Sequence, residues 1–115
     1  MDKQKTKNLI TYREFTNLDI RVVEVIQAES IPLRKRILKL TVKTGIGNDQ
    51  TVVAGGAQFY PPEYFIGKKF AALLNLAPKK IAGIMSHGML LAANVKNKPY
   101  WLVMDENTPV GAKII

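Results

Sequence analysis

Cysteine is absent from the 115 residues, which excludes disulfides, thiolate metal centres and cysteine nucleophiles. Histidine is almost as scarce: His87 stands alone, and one imidazole cannot furnish a histidine metal cluster. The nine carboxylates are scattered along the chain and match no metal-loop spacing, so no metal site is expected. Long hydrophobic runs are missing too. Phe70–Leu74 is among the longest, far too short to cross a bilayer, and no apolar stretch of signal-peptide length follows the basic start MDKQKTKNLI. No glycine fingerprint joins a strand to a long helix, which removes nucleotide-cradling folds. Ser86 beside His87 is the remaining catalytic suggestion, but adjacent side chains on a strand point to opposite faces. These absences set the expectation: a soluble, cytoplasmic binding domain with no cofactor, no membrane partner and no catalysis.

Positive charge is what the chain has in excess. Seventeen Lys and Arg oppose nine Asp and Glu, a net charge of +8. From Ser30 to Met104 there are eleven basic residues and only two acids, Asp49 and Glu63. Such an excess fits either a solubilising surface or a polyanion site. Clustering favours the second, since five of the ten residues from Arg34 to Lys43 are cationic. Lys39 and Lys43 share one strand face, Arg34 to Arg36 precede them, and Lys79-Lys80 sit on a bend farther on. Cations on a stiff support at backbone spacing are what a polyanion needs.

The pattern predicts a barrel. Residues 1–10 read as a loose basic segment and 11–115 as the domain. Thr11-Tyr12-Arg13-Glu14 has the form of a capping box, predicting a short helix that closes one barrel end. Ile20, Val22, Val23, Val25 and Ile26 predict a first strand over 19–28, with a bulge where the alternation slips from Val22 to Val23. Leu38, Leu40 and Val42 alternate with Lys39, Thr41 and Lys43, predicting a second strand with a core face and a wet cationic face. A third strand follows over 50–54, then a single short helix within 60–67, where Pro and Glu mark a start and Gly67 an end. A fourth strand runs over 69–74, a fifth over 88–95, and 100–104 adds an extended piece. Five strands with a small helix between the third and fourth is the order of an all-β OB-fold barrel with short flanking helices. Met89, Tyr100 and Trp101 suit either core packing or contact with a base, and strand context favours the core.

Residues 75–89 carry a longer pattern. Asn75, Leu76, Pro78, Lys80, Gly83, Ser86, Gly88 and Met89 match N-L-x-P-x-K-x-x-G-x-x-S-x-G-M, so the chain resembles the tRNA-binding domain family. Leu18–Val25 is similar to that family's opening strand, and Phe59–Lys69 to its Y-x-P-E-x-L-x-G-K helix. The resemblance implies an OB-fold, usually homodimeric, that binds tRNA without catalysis. Such domains form the C-terminal part or small beta subunit of methionyl-tRNA synthetases, free-standing tRNA-binding proteins and CsaA-type secretion chaperones. It implies tRNA contacts at Asn75, Lys80, Ser86 and Met89. Charge adds Arg34, Arg36, Lys39 and Lys79. The partners implied are tRNA, a second copy and a methionyl-tRNA synthetase catalytic subunit; the alternative is a chaperone that binds unfolded polypeptide. Two departures stand out: Val23 where glycine is common, and Arg34-Lys35-Arg36 in place of Ala-Asp-Lys, which makes this rim more basic.

Overall fold

In a computed structural model that describes residues 8–115, the other strands are hung on β1 (Ile20–Ile31). Residues 1–7, most of the basic segment expected over 1–10, lie outside the described residues. The β-branched run keeps β1 extended through twelve residues. Its first half pairs antiparallel with β4 (Lys69–Leu73), from Ile20 opposite Leu73 to Glu24 opposite Lys69. Its second half pairs with β2 (Arg34–Lys43). A strand shared by two ladders has to bend, and the register slips between Val25 and Gln27. The bulge therefore lies just beyond the break in alternation at Val22 and Val23. Both of those residues are buried, and Val22 faces the equally buried Ala71, which is why the alternation fails there.

From β2 the sheet continues to β3 (Gln50–Gly55), with Lys39 opposite Val53 and Thr41 opposite Thr51. The far edge of β3 meets residues 86 and 87. Val53 N–H donates to Ser86 Oγ at 3.0 Å, and His87 N–H donates to the Thr51 carbonyl at 2.8 Å. Two residues later β7 (Met89–Leu90) pairs with β4, so the segment 86–90 bridges β3 to β4 and closes the barrel. Gly88 lets it pass: at φ +102° any Cβ would stand 2.8 Å from the Leu73 carbonyl oxygen.

The expected fifth strand is divided into β7 and β8 (Ala92–Val95); β8 forms a hairpin with β9 (Lys98–Trp101). β10 (Val103–Met104) pairs with β4, and the C-terminal segment runs along β1 through Gly111, Ala112 and Ile114. What reads as a basic bend after β4 is itself a hairpin, β5 (Lys79–Ile81) with β6 (Ile84–Ser86). Its turn residues Ala82 and Gly83 both have positive φ, the geometry that matches the twist of a two-residue hairpin.

The core is formed by Val23, Val25, Leu38, Leu40, Val42, Val52, Phe65, Phe70, Ala72 and Leu90. The alternation read in β2 holds, since Leu38, Leu40 and Val42 are buried. α1 (Tyr12–Phe15) has its capping box intact, with Glu14 N–H donating to Thr11 Oγ1 at 3.0 Å and Thr11 N–H to Glu14 Oε1 at 2.8 Å. It buries no residue, however, so the barrel-closing role expected of it falls to α2 (Pro62–Phe65), whose Phe65 is fully buried. Tyr60, Tyr64, Phe70 and Trp101 surround Phe65 with ring centroids within 6.1 Å, so Trp101 belongs to the packing of this aromatic end.

Candidate nucleic-acid interface

Each residue named from the sequence has a definite place. Lys79 and Lys80 are exposed on β5, and alternation sends them to opposite faces of the ribbon. Lys79 faces Ser86 across the hairpin, whereas Lys80 faces Met85, which is half exposed. Ser86 is only 5% exposed. Its hydroxyl accepts from Val53 N–H and donates to the Gly88 carbonyl at 3.4 Å, so it is the clasp of the closing seam. Adjacent His87 takes no part in that pair and lines a pocket on the other side.

Asn75 is tied down at both ends of its amide. Oδ1 accepts from Asp19 N–H at 2.8 Å and Nδ2 donates to the Asn17 carbonyl at 2.6 Å. The bend that leads into β5 is thereby fixed to the entry of β1. Asn75 and Ser86 thus hold the cation-bearing hairpin in place; the hairpin presents Lys79 and Lys80, and the 45%-exposed Met89 follows on β7. Met89 lines a groove with Val53, Leu91, Trp101 and Leu102.

The register also connects the two basic segments. Lys39 lies opposite Val53, Val53 is bonded to Ser86, and Ser86 lies opposite Lys79. Three strand steps, roughly 15 Å, separate Lys39 from Lys79 along this path. Arg36 is three residues upstream on β2, about 10 Å farther along. Its carbonyl accepts from Ala57 N–H at 3.1 Å, and its side chain and that of Arg34 are exposed at the barrel rim. The residues of this path between the cations, Ile37, Leu38, Val53 and Ser86, carry no charge.

Acids do stand on the opposite side of β2, and sequence reasoning missed them. Glu29 faces Lys39 and Glu24 faces Lys43 across the β1–β2 ladder. Opposite charges placed so partly cancel each other's field, so the wet face of β2 is less cationic than its own sequence implies. No signal in the sequence gives this pairing, because it depends on where the bulge in β1 falls. Elsewhere lysines are committed to the fold. Lys68 Nζ donates to the Tyr64 carbonyl at 2.7 Å and stands 4.3 Å from the Tyr64 ring centroid. Lys69 Nζ donates to the carbonyls of Glu106 and Thr108, both at 2.7 Å. Lys98 lies over the rings of Phe59, Tyr60 and Tyr100. The ion pair among the described residues joins Arg21 to Asp19 at 2.8 Å, leaving Arg34, Arg36, Lys79 and Lys80 outside any ion pair among those residues.

Comparison with known proteins gives the chain's family and fold. The family profile described as "Putative tRNA binding domain" matches residues 20–113. The chain is 46% identical over 87 residues to a methionine–tRNA ligase of Cytophaga hutchinsonii, covering 76% of this chain and 12% of that protein. It is 39% identical over 113 residues to the methionine–tRNA ligase of Methanothrix thermoacetophila, covering 98% of this chain and 17% of that one. It therefore spans only a small part of the length of the curated relatives it matches. Among solved structures, a MetRS-related protein from Pyrococcus horikoshii superposes with a TM-score of 0.88 at 38% identity, covering 95% of this chain and all of that one. The chaperone CsaA from Bacillus anthracis superposes with a TM-score of 0.84 at 27% identity, covering 94% of this chain and all of that one.

Proposed function

We propose, on the footing that the chain belongs to the tRNA-binding domain family, that it is a non-catalytic domain that holds tRNA for a methionyl-tRNA synthetase. The observation that carries this reading is the closing seam: an acid-free ribbon bearing Lys79 and Lys80, fixed to a rigid barrel by Asn75 and Ser86. Electrostatic contact with the phosphate backbone supplies affinity, and the shape of the folded RNA selects the docking. Arg34 and Arg36 extend the contact along the rim, and Lys39, opposed by Glu29, contributes least. Asn75 and Ser86 position the hairpin, and Met89 presents an apolar contact beside it. The domain extends over residues 11–115. It works in the cytoplasm, where tRNA and synthetase are found, as a homodimer that covers the exposed Tyr100, Leu102 and Val103.

The test is a gel-shift titration of bulk tRNA across a salt series, with sedimentation of the free protein alongside. Four phosphate contacts, at Arg34, Arg36, Lys79 and Lys80, give a log–log salt slope of roughly −3. A flat salt dependence contradicts the proposal, and a monomer throughout the titration contradicts the dimer.

One observation favours a second reading, a chaperone of the CsaA type. The groove between β3 and the β7–β9 segment, lined by Val53, Met89, Trp101 and Leu102, is apolar enough for an extended polypeptide. Tighter binding of unfolded polypeptide than of tRNA at physiological salt selects this reading over the first.

A further inference from the structure

Beside the cation-bearing hairpin lies a pocket that the lysines do not account for. It opens between the entry to β1, the loop 44–50 and the bend 74–78, and its apolar walls are Ile46, Leu74, Leu76 and Pro78. Its polar lining is Asn48, Gln50, His87, Asp19 and the buried Thr44, whose hydroxyl accepts from Ile46 N–H. Three points of the lining are anchored elsewhere in the fold. Asp19 is held by its N–H to Asn75, its carbonyl to Leu74 N–H and its carboxylate to Arg21. Gly45, at φ +75°, is pressed against the Val110 carbonyl, where a Cβ would stand 2.6 Å from the oxygen. The His87 backbone is bonded to Thr51. The side chains of Asn48, Gln50 and His87, by contrast, enter none of the side-chain hydrogen bonds that tie the described residues together.

We infer that this pocket takes one unpaired nucleobase of the bound RNA, an inference that rests on the tRNA-binding reading. The chemistry of the lining selects that occupant. Two amides and an imidazole offer donors and acceptors of both kinds, which suits the edge of a heterocycle. The apolar walls accept its flat face, as unstacked bases are accepted in single-strand readers. A phosphate is disfavoured, since the formal charge in the lining is the Asp19 carboxylate. A metal is disfavoured as well: among the described residues no three His, Cys, Asp or Glu side chains converge. A flanking phosphate falls instead to one of the two lysines that follow Pro78 directly in the chain, Lys79 or Lys80, which stand on opposite faces of the ribbon. The pocket therefore adds sequence or modification preference to a contact that the cations make indifferent to sequence.

The four ribonucleoside 5′-monophosphates, titrated one at a time into the full chain, test this by methyl NMR. Saturable shifts of Ile46, Leu74 and Leu76, unequal among the four bases, are the expected result. Gln50→Ala and His87→Ala abolish those shifts and weaken tRNA binding roughly tenfold while leaving its salt slope unchanged. Asn48→Ala, in an exposed loop, stands in where Gln50→Ala loosens β3. If no nucleotide shifts these methyls while tRNA still binds with a steep salt slope, the pocket inference falls and the tRNA reading stands. Shifts confined to Ile81 and Ile84 on the hairpin overturn it in the same way, as phosphate adsorption. If nucleotides fill the pocket but tRNA does not bind, the pocket stands and the tRNA reading falls.

Discussion

At the aromatic end of the barrel, Lys68, Lys69 and Lys98 lie against carbonyls and rings of their own chain, whereas on the closing hairpin Lys79 and Lys80 meet neither among the described residues. The same residue type does different work in the two places. Around Phe65 a lysine adds roughly 0.5–1 kcal/mol by covering a ring or satisfying a carbonyl, and its charge is partly hidden. On the hairpin a lysine adds little to folding and keeps its whole charge for a partner. Counting basic residues along the chain merges these two populations; the fold separates them.

Three substitutions and titrations sharpen that contrast. Phe65→Ala opens a cavity at the centre of the aromatic end and costs about 3–5 kcal/mol by denaturant unfolding, with the salt slope of tRNA binding retained by whatever remains folded. Ser86→Ala leaves the half-buried Val53 N–H without its acceptor and costs about 1 kcal/mol. It also loosens the hairpin, so tRNA affinity falls with stability, a coupling that Phe65→Ala lacks at matched folded fraction. The smallest effect is a pH dependence. Burial, and then the neighbouring Tyr60, raise the Tyr64 hydroxyl above its ordinary value of 10.0. An acid whose pKa is raised on folding contributes stability that is whole below the unfolded value and lost as pH climbs through the folded one. Thermal unfolding between pH 9 and 11 therefore shows a modest alkaline loss that Tyr64→Phe reduces.

How much of this is legible in the sequence depends on how local the cause is. The alternation of Leu38, Leu40 and Val42, the Thr11–Glu14 capping box and the proline-led α2 are set by neighbours within a few residues, and each is where the residues place it. The bulge in β1 is displaced by a few residues because burial of Val22 against Ala71 disguises the alternation. The hairpin within the basic bend is hidden because its turn uses Ala82, not asparagine or glycine, at a left-handed position. Least legible is the opposition of Glu29 to Lys39, since register across a bulged ladder is a tertiary outcome. At the candidate site the motif supplies the residues and the fold supplies their jobs: Asn75 and Ser86 fasten, Lys79 and Lys80 are presented.

Paired alanine substitutions put the contrast between the two lysine populations to direct measurement. Lys79→Ala with Lys80→Ala is compared with Lys68→Ala and Lys69→Ala by tRNA titration over a salt series, with melting curves to confirm folding. The hairpin pair is predicted to flatten the log–log slope by about two and to weaken binding roughly thirtyfold near physiological salt, while the Lys68 and Lys69 pair leaves the slope as it was. Equal slopes for the two double variants, or a larger change from the Lys68 and Lys69 pair, would contradict the placement of the RNA on the closing seam.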